Sequence, residues 1–209
     1  LGGMQSLLYQ RGELTIFESE EKRQETLVAL KTMIDLGSRL GLRALVFGSP
    51  KNRLIGTVTS EKEKIARDFF QELGDYAYQK GVVFCLEPNP AIYGGEFLLR
   101  TPETVEFIES VASPGLKLNL DTGAIIENDE LEWVLQELPK RPKLIGHVHL
   151  SLPHLKPIVV GPVHEAVIEV LKTFDYSGWV AIEMLLSPAL NGEAIRSMLE
   201  TVRSEEHTS

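Results

Sequence analysis

A chain of 209 residues can bury one sizeable core, and 43% hydrophobic with 24% charged residues is ordinary for a globular domain. The net charge of -9 comes from 30 acidic against 21 basic residues, with no Lys/Arg stripe for a phosphate backbone, so nucleic acid is not an expected partner. No apolar run approaches the roughly 18 residues of a membrane-crossing helix, and no basic region followed by a long apolar one opens the chain, so no membrane partner is expected either.

In chain order, six strand-like runs alternate with helical patterns: "GGMQSLLY", "ALVFGS", "VVFCLE", "LKLNLD", "IGHVHL" and "WVAIEM". The first run starts almost at residue 1, without an initiator Met, as though the reading frame entered mid-domain. Between the runs, Ser60 to Glu63 reads as a capping box before Ile65, Phe69, Leu73 and Ala77, with Gly81 closing that helix. Thr101-Pro102 opens another; Asn128 precedes Leu131, Val134, Leu135 and Leu138, and Pro139 stops that one. Cys85, the single cysteine, lies in an apolar strand and reads as a buried thiol, which suits a reducing, cytoplasmic setting. No linker or low-complexity tract divides the chain, so residues 1–202 are read as one domain. The closing "RSEEHTS", 203–209, resembles a translated frame of a sequencing adapter, and His207 is set aside.

Strand followed by helix, repeated, is the pattern of a parallel α/β fold. Glu87, Asp121, His149 and Glu183 end four successive strands at separations of 34, 28 and 34 residues, one strand-helix unit per step. In a (β/α)8 TIM barrel such ends converge on one face; in an open sheet they would be strung along a crevice. The unbroken cadence favours the barrel, and six units are two short of closure, so about the first two βα units are expected to be missing from this chain.

One carboxylate at a strand end is usually a helix cap or a solvated loop charge. Four metal-competent residues in phase are different, because three buried carboxylates converging without a cation would be costly. Two Glu, one Asp and one His, without sulfur, suit a divalent ion such as Mn, Mg or Co, with Zn also compatible.

Together, "FGSPKNR", "CLEPNP", "NLDTGA", "GHVHLS" and "WVAIEM" resemble the sugar isomerase/epimerase branch of the xylose isomerase-like TIM barrels, the fold shared with AP endonuclease family 2, over nearly all of residues 1–202. The resemblance implies that Glu87, Asp121, His149 and Glu183 hold one divalent metal and that the two Glu also move protons. His147 and His149 share a face of their strand, but His149 stands at the carboxyl end while His147 is one layer deeper, with Cys85, Asn119 and Ala181. His147 is therefore read as a packed, hydrogen-bonded residue and not as a ligand.

The implied chemistry begins with a substrate that offers a carbonyl and an adjacent hydroxyl to the metal, which acidifies the neighbouring C–H by stabilising an enediolate. One glutamate removes that proton and the other returns it to the opposite face or to the adjacent carbon, giving an epimerase or an isomerase. Asn89 and Tyr93 are candidate contacts to sugar hydroxyls, Lys51 and Arg53 to a phosphate or carboxylate, and His154 and Lys156 to substrate; the alternatives are turn and solvated-loop roles. His164 precedes a helix as a cap. Sugar 3-epimerases of the group generally carry a His three residues past the metal Asp and a Glu three past the metal His, where this chain has Ala124 and Leu152. A metal-dependent dehydratase of a cyclic polyol and a noncatalytic sugar-binding barrel are the alternatives, and a homo-oligomer is compatible with all three.

Overall fold

The computed structural model describes residues 2–185. The tail at 203–209 and the end of the domain read as 1–202 lie outside them. Six parallel strands run in sequence order across one sheet: β1 Gly3–Met4, β2 Ala44–Phe47, β3 Val83–Leu86, β4 Leu116–Asp121, β5 Ile145–Leu150 and β6 Val180–Ile182. Between them lie α1 Glu20–Arg39, α2 Ser60–Gln79, α3 Thr101–Val111, the short pair α4 Thr122–Asn128 and α5 Leu131–Glu137, and α6 Pro162–Thr173. This is a TIM-barrel sheet wrapped by its crossover helices. The sheet curls until its edges approach: the Trp179 ring lies against Gly2, where a Cβ would come within 2.7 Å of it, and Gln5 reaches Glu183 at 3.1 Å.

Alternation along each strand sorts the two faces. Leu45 and Phe47, Phe84 and Leu86, Leu116, Leu118 and Leu120, and Val148 and Leu150 face the helices and join the main core. The opposite face carries Ala44, Val46 and Cys85 as a small separate cluster, followed by Asn119, His147 and His149. Burial drives the Cys85 thiol far above its ordinary pKa, so it is a packed group and not a nucleophile.

Helix boundaries differ from the sequence reading in three places. The cap of α2 is Thr59, whose hydroxyl accepts from the Lys62 N–H, one residue before the expected Ser60. Asn128 ends α4 instead of opening the next helix; α5 starts after Glu130, whose buried carboxylate accepts the Thr101 N–H and pairs with Arg100. Pro139 does not stop the chain abruptly, since it sits in a 3-10 turn, Leu138–Lys140, that continues α5. Among the strands, β4 and β5 span the runs read from the sequence, whereas β1 is only two residues long. Among the described residues it pairs with β2, and Leu7 and Leu8 bury themselves in a turn after Ser6 instead of extending the strand.

Candidate metal centre

At the carboxyl ends of β3 to β6 the inward-facing positions carry Glu87, Asp121, His149 and Glu183. Each offers one ligand atom, and these atoms lie within 4.8 Å of one another, a group able to hold a metal ion. Opposite ligands across one divalent cation stand roughly 4 to 5 Å apart, so the spacing fits a single ion. The strands supply the convergence: Asp121 is the last residue of β4 and pairs in register with His149, while Glu87 and Glu183 are the first residues beyond β3 and β6.

Asp121 is the most firmly held of the carboxylates. It caps α4, with Oδ1 accepting the Ala124 N–H at 2.6 Å, and Oδ2 accepts the Ser151 hydroxyl at 2.6 Å. Ser151 is itself fully engaged: Oγ accepts the Gly123 N–H, its N–H and carbonyl exchange hydrogen bonds with the Thr122 hydroxyl, and the carbonyl also accepts His164 Nε2 at 3.0 Å. Gly123 is required here, because a Cβ would come within 2.5 Å of Ser151 Oγ. Burial pushes Asp121 up to about 7, as does the Glu87 charge, with the Ser151 and Ala124 hydrogen bonds opposing.

His149 Nδ1 sits between the two glutamates, 2.9 Å from Glu87 Oε1 and 3.2 Å from Glu183 Oε2. Burial alone would lower its pKa, but the hydrogen bonds to Glu183 and Glu87 and their charges outweigh it and push the imidazole up to about 10. The two neighbouring carboxylates thus favour the charged imidazolium at His149. Glu87 Oε1 also accepts from Asn119 Nδ2 at 2.6 Å, and Glu183 Oε1 from Gln5 Nε2. The place for the Glu87 carboxylate is made by Gly48, the inward position at the tip of β2, where a Cβ would fall 1.9 Å from Oε2. His147 is buried one layer deeper, edge-on to His149, and stands outside the ligand group. Its Nδ1 has no hydrogen-bond partner among the described residues, and burial, with the His149 charge, lowers its pKa to about 4, so the ring is neutral packing.

Residues 8–204 match the family model described as xylose isomerase-like TIM barrel. The chain belongs to that family. A sequence search of curated proteins finds no match. Among solved structures, 3-keto-D-glucoside 4-epimerase from E. coli in its apo form is similar with a TM-score of 0.75 and 21% identity, over 90% of this chain and 74% of that one. D-Psicose 3-epimerase with D-tagatose, from Clostridium cellulolyticum H10, gives 0.75 at 16% identity over 92% and 75%. The IOLI protein with a bound zinc atom gives 0.70 at 19% over 97% and 75%. At these identities the likeness shows the fold.

In this xylose isomerase-like barrel three of the four candidate ligands, Glu87, Asp121 and Glu183, line a cavity of about 600 Å³. Lys51, Asn89 and Tyr93 line it too. Asn89 Nδ2 donates to the Gly48 carbonyl, while its Oδ1 is buried without a partner among the described residues. The Tyr93 hydroxyl accepts the His154 N–H at 2.8 Å and so ties the loop after β3 to the loop after β5, where His154 and Leu155 are both left-handed (φ 63° and 50°). The cavity does not take in Arg53, His154 or Lys156. Arg53 is 0% exposed and cannot contact an entering substrate; the turn that carries it folds its guanidinium inward onto the Glu87 carbonyl. His154 turns its ring edge-on to Tyr93, and Lys156 is exposed on the outside of the loop. His164 does not precede α6 but occupies its first turn, where Nδ1 accepts the Gly161 N–H. Sequence reading missed Gln5, Gly48 and Ser151. Gly48 and Ser151 stand inside the quoted "FGSPKNR" and "GHVHLS" stretches, but neither residue type announces a site by itself.

No helix among the described residues is long and apolar enough to cross a membrane.

Proposed function

We propose that this barrel is a divalent-metal-dependent isomerase or epimerase of a sugar or sugar-like hydroxy-carbonyl compound. The observation that carries the reading is the donor set: three carboxylates and one imidazole drawn from four consecutive strand tips into the span of a single ion, open to a cavity. The fit is chemical as well as metric. Oxygen donors with one nitrogen suit Mn, Mg or Co, with Zn compatible, and the zinc atom of the similar IOLI structure supports a metal-binding reading. Sugar epimerases among the similar structures support the substrate class.

A bound cation supplies Lewis-acid stabilisation of the negative charge that develops when a C–H beside a carbonyl is deprotonated. The chain's own residues do the rest. Glu87 and Glu183 flank His149 from either side, so one carboxylate can accept the substrate proton while the other, protonated, returns one. Gln5 and Asn119 orient these carboxylates by donating to one oxygen of each. Tyr93 already accepts the His154 N–H, which leaves its own proton for a substrate oxygen, and Asn89 Oδ1 offers an acceptor for a substrate hydroxyl.

The test is solvent exchange. In D2O, ketoses, aldoses, hydroxypyruvate and inososes are incubated with the protein and Mn or Mg, and the C–H next to the carbonyl is followed by NMR. Metal-dependent loss of that signal, abolished in Glu183→Gln, is expected. Release of water with a new carbonyl absorbance would identify a lyase, and metal binding without any exchange would leave only a binding barrel; either outcome sinks the isomerase reading.

A further inference from the structure

Among the described residues Arg53 is the largest fully buried side chain, and it lies beside the site without facing it. It ends the 3-10 turn Lys51–Arg53 after β2 and sends Nη2 to the main-chain carbonyl of Glu87 at 2.7 Å, 34 residues further along the chain. Its Nε and Nη1 find no hydrogen-bond partner among the described residues. Burying a guanidinium with two idle donors is expensive, and the core would accept an apolar side chain of similar length more cheaply. The cost therefore needs an explanation outside stability.

The end of β3 provides one. Pairing of β2 with β3 stops at Phe47 and Leu86, and pairing of β3 with β4 stops at Leu86 and Leu118. Glu87 is the first residue past both ladders, and Pro88 turns the chain away with no N–H of its own. The Glu87 N–H still reaches the Phe47 carbonyl, at 3.3 Å, but its own carbonyl has left the sheet. Arg53 supplies the donor that a further ladder rung would have supplied. It thereby fixes the peptide plane from which the Glu87 side chain projects to His149 and Asn119.

We infer that Arg53 is a positioning residue: by clamping the Glu87 carbonyl it holds the Glu87 carboxylate in register with Asp121, His149 and Glu183. The metal half of this inference rests on the function proposed above; the register half does not.

The test compares full-length Arg53→Met, Arg53→Gln and Ile34→Ala with the parent chain. Ile34 is buried in α1, away from the cavity, and serves as a core-truncation control. In metal-free protein, the His149 Nδ1 proton resonance reports its contact with Glu87. It is expected to shift in Arg53→Met, to return towards the parent position in Arg53→Gln, which restores an N–H donor, and to stay put in Ile34→Ala. Mn2+ affinity is expected to fall roughly ten- to a hundredfold in Arg53→Met, the usual cost of losing a group that supports a ligand, and to be unchanged in Ile34→Ala. An unmoved His149 resonance in a folded Arg53→Met protein overturns the inference. So does an equal shift in Ile34→Ala, which would mark general loosening. If the resonance moves as expected but the parent chain binds no Mn2+, the clamp stands and the metal reading falls.

Discussion

The four donors fall into two unlike pairs. Asp121 and His149 belong to the six-residue central strands β4 and β5, and their side chains are almost closed to solvent: Asp121 is 8% exposed as a residue and the His149 side chain 2%. Glu87 and Glu183 stand one residue beyond shorter strands, with side chains 15% and 20% exposed. Asp121 is held on both oxygens by a helix cap and a buried serine, whereas among the described residues Glu183 meets Gln5 and the shared imidazole. The contrast teaches a division of labour. Under the proposed function the inner pair would form a fixed floor for an ion, and the outer pair would keep the exposure that a proton carrier needs to meet a substrate.

The sharpest way to break that division is to compare Asp121→Asn with Glu183→Gln. Asparagine keeps the cap but loses the charge, so Mn2+ binding and C–H exchange should both disappear by calorimetry and NMR. Glu183→Gln should cut exchange by roughly a hundredfold to ten-thousandfold, the range for losing a general acid or base, while Mn2+ still binds. Equal metal loss in the two variants would erase the distinction.

A smaller effect concerns pH. In the metal-free protein His149 is raised from 6.5 to about 10, so the folded state binds its proton more tightly than the unfolded chain. That contribution is complete below pH 6.5 and is lost as pH rises through about 10. Asp121, raised from 3.8 to about 7, acts in the same sense at lower pH. The melting temperature in EDTA should therefore fall between pH 6 and pH 10, and saturating Mn2+ should flatten the decline, because the cation replaces the imidazolium charge. A metal-free melting curve indifferent to pH would contradict the charge pairing at His149. Smallest of all, Gln5→Ala removes one exposed hydrogen bond to an outer carboxylate. Exchange should slow several-fold with the melting point unchanged, and an unaltered exchange rate would show that Glu183 needs no such guide.

Much of the architecture was legible because it is periodic. Alternation identifies β4 and β5 to the residue, and steps of 34, 28 and 34 put the four candidate ligands in phase. Signals that depend on what a residue lacks were harder to read. Gly48 matters as the space occupied by a carboxylate from the next strand, and Ser151 matters because four partners from two other segments, 121–123 and the first turn of α6, meet on it. Arg53 misled for a related reason: a cation in a loop after a strand reads as a substrate contact, and only the fold shows that its turn points inward. The strand at "GGMQSLLY" was overread because apolar residues next to glycines can be buried by a turn as well as by a ladder.

His164 gives one more reason to look beyond the ligands themselves. Its two ring nitrogens bridge the first turn of α6 and the Ser151 carbonyl, and Ser151 holds Asp121. The start of that outer helix and the deepest oxygen donor thus behave as parts of one truss. A change in the tilt of α6 would be passed through these contacts to Asp121, so the outer shell of this barrel is mechanically tied to the candidate metal site.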